Sequence, residues 1–286
     1  MQQKKTPGGR STTATTLAAV LPAVVVAGLL VLTASGDLKA PIEDLTVAAA
    51  SLSAAAISIP VMLGQKTRHG YKPFLALSVG LALWAVAEIL WAYFELVAGI
   101  EVPYPSVPDI FYLSGYAFVA LFLFSLYRVS PRAFENKMVV IVIAITVESF
   151  FLNFFLIQLV ENIVGFAQPT ADDWLLLAVS VAYPLLDGIL LVPAAVLITG
   201  YQLGIMSRFS ILLFAAAVVL FAVGDTGFSY FALTDFAALQ DEKVWNTFYA
   251  VSYVLFAGSL LSVLLEMRAS PKQVGGIKAG ATKDYY

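Results

Sequence analysis

The chain has no cysteine and only one histidine among its 286 residues. Disulfides, thiolate metal sites and cysteine nucleophiles are therefore excluded. The histidine, His69, lies in the segment QKTRHGYK with no second metal ligand beside it, so we expect no metal there. Charged residues are also scarce, at 12% of the chain, against about 25% in soluble domains. Carboxyl and hydroxyl groups remain as the main candidates for polar chemistry.

Hydrophobic residues make up 60% of the chain, well above the roughly 45–50% of soluble domains. A membrane-spanning helix needs about 20 largely apolar residues. The sequence therefore predicts an all-α integral membrane protein with eight transmembrane helices and short connections. The predicted helices cover residues 14–34, 44–63, 74–98, 108–129, 138–158, 174–198, 209–233 and 246–267.

The ends of the chain are polar and short. We expect a disordered cytoplasmic N-terminus at 1–13, a membrane domain at 14–267 and a short cytoplasmic tail at 268–286. In the eight-helix topology, 14 of the 16 Lys and Arg residues lie on the same side of the membrane as the N-terminus, and only Lys39 and Lys243 lie on the other side. The positive-inside rule then places both termini in the cytoplasm of a multi-pass plasma membrane protein. The opposite loops are acidic, and we expect Glu43 and Asp44 to be solvated loop charges there.

The segment from Trp84 to Tyr116 combines acids, aromatic residues and a turn rich in proline. Helical spacing puts two indoles and two carboxyls on one face of the third predicted helix. The fourth begins with Asp109 and presents two tyrosines one turn apart. The residues on these two faces are Trp84, Glu88, Trp91 and Glu95, then Tyr112 and Tyr116.

Six carboxyl groups lie in or at the ends of the predicted helices, and no Lys or Arg lies deep inside a helix to pair with them. A carboxyl costs about 2.5–3.5 kcal/mol at the centre of a membrane helix, so these groups should face the bundle interior or water. One interpretation is a cavity that is open to the outer side and binds a cation or small ligand; the other is a set of neutral acids that only hydrogen-bond between helices. The predicted binding residues are Glu88, Trp91, Asp109, Tyr112, Tyr116, Glu148, Tyr183, Asp187, Asp225, Tyr230, Tyr249 and Tyr253. We predict no catalytic residue, metal or cofactor, and no nucleic-acid partner.

An internal repeat is visible at an offset of 137 residues. Residues 83–126 match residues 220–263 without a gap at 13 of 44 positions. Glu88 aligns with Asp225, Trp91 with Phe228, and the two patterns YF-L and FY---Y recur in one register, which apolar composition alone does not readily produce. The repeat predicts halves at 14–129 and 138–267, related by a pseudo-two-fold axis along the membrane normal. Asp187 has no acidic counterpart in the first half.

Three segments together resemble a known family. The strings AEILWAYFELVAGIEVPYPSVPDIFYLSGY, VAYPLLDGILL and GDTGFSYFAL are similar to the multi-pass N-terminal membrane module of bacterial and archaeal diguanylate cyclases and histidine kinases. The resemblance implies a sensory or receptor-like module. Because no cyclase or kinase segment follows the last predicted helix here, signalling would pass to a separate partner protein.

Two other functions are open. Parallel repeats with central acids are typical of cation- or proton-coupled carriers. The paired acids Asp187 and Asp225 also resemble, more weakly, those of intramembrane aspartyl proteases, in which two carboxyls share a proton. The motifs differ, since Tyr183 and Asp187 are four residues apart and Ala222 stands where that family has a glycine.

Overall fold

The structure is a computed structural model that describes residues 21–23, 25–30, 39–66, 70–100, 104–129, 170–200, 206–234 and 244–269. Its long helices are α1 (Lys39–Gly64), α2 (Tyr71–Leu96), α3 (Val107–Val129), α4 (Ala171–Gly200), α5 (Arg208–Thr234) and α6 (Val244–Ala269). No strand occurs in these ranges. The prediction of an all-helical chain is confirmed for the part of the chain that is described.

Each of the six long helices is apolar enough to cross a membrane, with a mean hydropathy of 1.7–2.2 over its most apolar window. The chain is therefore a multi-pass membrane protein by helix length and composition. Residues 21–23 and 25–30 are also helical, within the first predicted helix at 14–34. The fifth predicted helix, 138–158, lies outside the described residues, so eight helices remain a prediction.

The six helices form a closed ring. Each helix packs mainly on its neighbours in the chain, and α6 closes the ring by packing on α1. The ring interior is filled by large side chains that are less than 2% exposed, among them Trp84, Tyr116, Phe122, Tyr253 and Phe256. Apolar side chains such as Leu121 and Leu212 are about half exposed on the outside, where a membrane protein meets lipid.

Two helices begin with a carboxyl that accepts from the backbone N–H of the residue three positions earlier. At the start of α3, the Ser106 backbone N–H donates to the Asp109 carboxyl at 2.6 Å. At the start of α4, the Thr170 N–H donates to Asp173 at 2.8 Å, and the Asp173 N–H returns to the Thr170 hydroxyl at 3.3 Å. A carboxyl three residues after the cap satisfies N–H groups that the helix leaves unpaired. These caps fix where the two helices enter the bundle.

The backbones of α2 and α3 approach each other closely at two glycines. A Cβ atom added to Gly80 would lie 3.1 Å from the carbonyl oxygen of Gly115, and one added to Gly115 would lie 3.1 Å from the carbonyl oxygen of Gly80. A Cβ at Gly115 would also overlap the Trp84 indole. Small residues permit this kind of close helix contact in membranes. The pair α2–α3 is therefore a tightly packed hairpin.

Candidate functional site

A cavity lies at the end of the ring where α1, α3, α4 and α6 begin and α2 and α5 finish, which we call the cavity end. Its volume is about 570 Å³, including the part that is open to solvent. The centre of a water molecule fits anywhere within about 40 Å³ of this space. One buried water needs roughly 10–15 Å³ by this measure, so there is room for a few waters or a small ligand.

The cavity wall is acidic and aromatic, and none of the described residues that line it is basic. It is lined by Asp44, Val47, Glu88, Trp91, Tyr104, Asp109, Tyr112, Tyr183, Phe221, Asp225, Phe228, Ser229, Asn246 and Tyr249. Each of the long helices α1 to α6 supplies an acid or a tyrosine to this wall. The wall therefore combines carboxyl groups, hydroxyl groups and ring faces, and the part of the chain that is described places no positive charge among them.

Glu88 lies on α2, about 12 Å from its end at about 1.5 Å per residue. The Tyr253 hydroxyl, from α6, donates to Glu88 Oε1 at 2.8 Å. The Tyr112 side chain, from α3, lines the same wall as the Glu88 carboxyl. Only 7% of Glu88 is exposed, so the Tyr253 hydroxyl takes the place of water at this carboxyl.

Asp225 has a matching environment on α5. The Tyr249 hydroxyl, from α6, donates to Asp225 Oδ1 at 2.7 Å, and the Tyr116 hydroxyl, from α3, hydrogen-bonds to Asp225 Oδ2. Tyr116 also lies 2.7 Å from Oδ1 of Asp187, on α4. Asp225 thus has two tyrosine partners, one of which it shares with a second carboxyl.

The tyrosine bonds are reciprocal between the two parts of the chain. Glu88 accepts from Tyr253 of the other hairpin, and Tyr112 of its own hairpin, which matches Tyr249, lines the same wall. Asp225 is bound by Tyr249 of its own hairpin and by Tyr116 of the other. The carboxyls and both pairs of tyrosines are separated by the same 137 positions.

A second set of bonds lies nearer the mouth of the cavity. The Tyr183 hydroxyl donates to Asp109 Oδ1 at 2.6 Å, so α4 is tied to the first turn of α3. The Tyr104 hydroxyl lies 2.9 Å from Ser180 Oγ. Burial raises the pKa of Tyr104 far above its usual range. Tyr104 therefore stays a neutral hydroxyl at the cavity wall.

Aromatic rings form the remaining wall. Trp91 packs edge to face on Phe228, with ring centroids 5.7 Å apart. Tyr104 packs on the same Phe228 ring at 4.8 Å. Phe221 contacts Tyr249 at 5.2 Å. Ring faces attract cations, and the attraction is strongest where water is excluded.

The structure brings most of the predicted site residues together. Those that line the cavity are Glu88, Trp91, Asp109, Tyr112, Tyr183, Asp225 and Tyr249. Tyr116, Tyr253 and Asp187 lie behind the wall, and each hydrogen-bonds to a partner in this network. Tyr230 is not part of the wall and packs on Phe231 at 5.3 Å. Glu148 lies outside the described residues.

The prediction for two acids is wrong. The sequence pattern indicates that Glu43 and Asp44 are solvated loop charges, but they lie in the first turns of α1 and are only 3% and 4% exposed. Asp44 lines the cavity. The helix begins at Lys39, earlier than the predicted 44, because KAPIED continues the apolar helix that follows. A charged stretch at the end of a membrane helix resembles a loop in the sequence. Here it is part of α1, which packs on α2 and α6.

Other wall residues were not predicted. Tyr104 belongs to the turn between α2 and α3, where aromatic side chains give no periodic signal. Phe221 and Phe228 occupy the positions that align with Trp84 and Trp91. The internal repeat was therefore a signal that could have identified both.

No three carboxylate or imidazole groups of the described ranges are arranged to hold a metal ion. The wall is instead suited to a ligand that is recognised by hydroxyl, carboxyl and ring contacts. No protein-family model, curated protein or solved structure matches the chain. The geometry of this cavity is therefore the feature that indicates a function.

Proposed function

We propose that the chain is a receptor-like sensory membrane module whose cavity binds a small ligand with a positive charge. The observation that carries the proposal is the placement of Glu88 and Asp225 on one cavity wall, whose described residues include no basic one. An ionised carboxyl in such a site needs a cation or several donors to remain stable. The tyrosines supply donors, and a bound cation would supply the charge.

A small organic ammonium ion fits this wall better than a metal ion. Trp91, Phe228 and Tyr104 offer ring faces and edges beside the carboxyls, and ring faces favour ammonium groups. Metal coordination would need several carboxylates that converge, and the described acids do not. The cavity, in which the centre of a water molecule can occupy about 40 Å³, has room for a ligand of a few heavy atoms.

The orientation of the cavity follows from the basic residues. Lys66, Lys72, Arg128, Arg208 and Arg268 lie at the ends of helices opposite the cavity, whereas Lys39 lies at the cavity end. The positive-inside rule then supports a cavity that faces outward in the plasma membrane, with cytoplasmic termini. A ligand would arrive from outside, and the module would signal through a separate partner, as its resemblance to cyclase and kinase sensor modules implies.

We also propose that the two halves are a parallel repeat. The reciprocal tyrosine bonds of Glu88 and Asp225 support it, as does the ring order, which is the one expected if a two-fold axis exchanged α1–α2–α3 with α4–α5–α6.

Ligand binding is tested by thermal unfolding of the purified protein in detergent. Methylammonium should raise the melting temperature in a saturable way, because a ligand bound to the native state stabilises it by mass action. Sodium at equal ionic strength should not. Asp225→Asn should abolish the methylammonium effect, and Asp172→Asn, which changes an exposed acid on α4, should keep it. An equal response of the wild type and Asp225→Asn would contradict the proposal.

A cation- or proton-coupled carrier is the second candidate, and the proposed parallel repeat favours it. A carrier must move its ligand across the membrane, whereas a receptor needs only to bind it. Flux of methylammonium or protons into proteoliposomes, lost in Asp225→Asn, would replace the receptor proposal with the carrier. The protease has less support, since Tyr116 occupies the place between Asp187 and Asp225 where a catalytic pair would hold water.

A further inference from the structure

The Tyr116 hydroxyl lies between two carboxyl groups that come from different helices. It is 2.7 Å from Asp187 Oδ1 and also hydrogen-bonds to Asp225 Oδ2. A phenol has one hydrogen, and an ionised carboxyl can only accept. Only one of the two carboxyls can receive the Tyr116 hydrogen. The other must therefore bring a hydrogen of its own and donate it to the phenol oxygen.

The surroundings decide which carboxyl carries this hydrogen. Asp225 lines the cavity and accepts a second bond from Tyr249 at 2.7 Å. Asp187 is only 1% exposed, and its Oδ2 atom has no hydrogen-bond partner within the described part of the chain. A buried ionised oxygen without a donor is very costly, whereas a protonated acid leaves only a neutral carbonyl there.

We propose that Asp187, Tyr116 and Asp225 form a binding site for one exchangeable proton. In the resting arrangement Asp187 is the protonated acid and donates to Tyr116, and Tyr116 donates to the Asp225 carboxylate. When the proton leaves, the O–H bond of Asp187 breaks as a new one forms on the Tyr116 oxygen. The original Tyr116 O–H bond breaks as its hydrogen joins Asp225 Oδ2. Asp225 then releases that proton to water in the cavity, and the phenol is neutral throughout.

The groups that face this site are acids and hydroxyls. Glu88 of α2 and Asp109 of α3 line the same cavity as Asp225. Asp44 of α1, Tyr183 of α4 and Tyr249 of α6 also line it. No described residue of this wall is basic, so no cation on the wall competes with the proton.

Within the described ranges, the site occurs in one half of the molecule. The carboxyl that matches Asp225, Glu88, accepts from Tyr253, and no other described carboxyl shares that tyrosine. At the same offset of 137 positions, Ala50 stands where α4 has Asp187. Asp187 therefore has no counterpart in the first half, where an alanine occupies the matching position.

Infrared spectroscopy of the full chain in lipid nanodiscs tests the proposal without any ligand, so its outcome is separate from that of the proposed function. At pH 7 the wild type should show the C=O band of a protonated carboxylic acid that shifts in D₂O. Asp187→Asn should remove that band while the amide keeps a donor for Tyr116. Asp172→Asn, an exposed acid on the same helix, should leave it in place.

A second variant keeps the test decisive if Asp187→Asn does not fold. Tyr116→Phe removes the acceptor of the Asp187 hydrogen, so the band should move in frequency. A band that is the same in the wild type, Asp187→Asn and Tyr116→Phe would overturn the proposal. Loss of the band in Asp225→Asn but not in Asp187→Asn would overturn the assignment of the proton to Asp187.

Discussion

Trp84 of α2 and Phe221 of α5 stack on each other at the centre of the ring, with centroids 4.6 Å apart and ring planes 11° apart. The two residues are separated by 137 positions, the offset of the internal repeat. Trp91 and Phe228, at the same offset, also contact each other, at 5.7 Å. Residues that meet their own counterparts mark the place where a two-fold axis would pass.

We expect this stack to be a main source of stability. Trp84 is 0% exposed and Phe221 is 3% exposed, and replacement of such a side chain by alanine costs about 3–5 kcal/mol through lost contacts and an empty cavity. Trp84→Ala and Phe221→Ala should therefore lower the free energy of unfolding in mixed detergent micelles by about this amount. Tyr93→Ala, on the outer surface at 52% exposure, is the control and should change it little. Equal effects of all three would exclude a special role for the stack.

The reciprocal tyrosine bonds should have similar energies. Double-mutant cycles of Tyr253→Phe with Glu88→Met, and of Tyr116→Phe with Asp225→Leu, should each give a coupling energy of about 0.6–1.7 kcal/mol, the range for hydrogen bonds between membrane helices. The unfolding free energy in micelles is the measurement. Tyr253→Phe combined with the distant Asp172→Asn should be additive. A coupling found in one cycle only would contradict the proposed symmetry.

Two glycines three residues apart on α5 should differ sharply. A Cβ atom at Gly224 would lie 2.8 Å from the Tyr249 ring, whereas one at Gly227 would meet nothing within 4 Å. Gly224→Ala should therefore displace Tyr249 from Asp225, lower the melting temperature and weaken methylammonium binding. Gly227→Ala should be neutral or stabilise the helix by up to about 1 kcal/mol, because alanine favours helices. A binding defect in Gly227→Ala alone would disagree with the described packing.

The orientation of the cavity can be tested in a chain that has no native cysteine. Val97→Cys, at the cavity end and 70% exposed in the wild type, should react with a membrane-impermeant maleimide in intact cells. Lys66→Cys, at the opposite end, should react only after the cells are opened. The reverse result would place the cavity on the cytoplasmic side and would contradict the positive-inside argument.

The helices and much of the cavity are predictable from the sequence because both depend on periodic patterns. Apolar runs define the spans, and helical spacing places Glu88 and Trp91 on one face. The internal repeat pairs Glu88 with Asp225 through their alignment at one offset. These features are local or recur at a fixed offset, so a single sequence is enough to find them.

The remaining features depend on contacts between distant helices. The burial of Glu43 and Asp44 follows from the closure of α1 on α6, which no local pattern reveals. The bridge from Tyr116 to both Asp187 and Asp225 joins three helices, and spacing along any one of them does not specify it. Tyr230 shares a helix with Asp225 but lies off the wall, since side-chain direction around a helix decides contact.

The close contact of Gly80 with Gly115 has a mechanical consequence. Sliding of α2 along α3 would bring side chains into the close backbone contact, so we expect the two helices to move as one rigid unit. This unit is joined to α5 and α6 by single hydrogen bonds between tyrosine hydroxyls and carboxyls, Tyr253–Glu88 and Tyr116–Asp225, which can exchange. A ligand or proton that changed those bonds would therefore alter how this pair is held against the other helices, and the effect would reach the opposite face of the membrane through about 26 Å of helix.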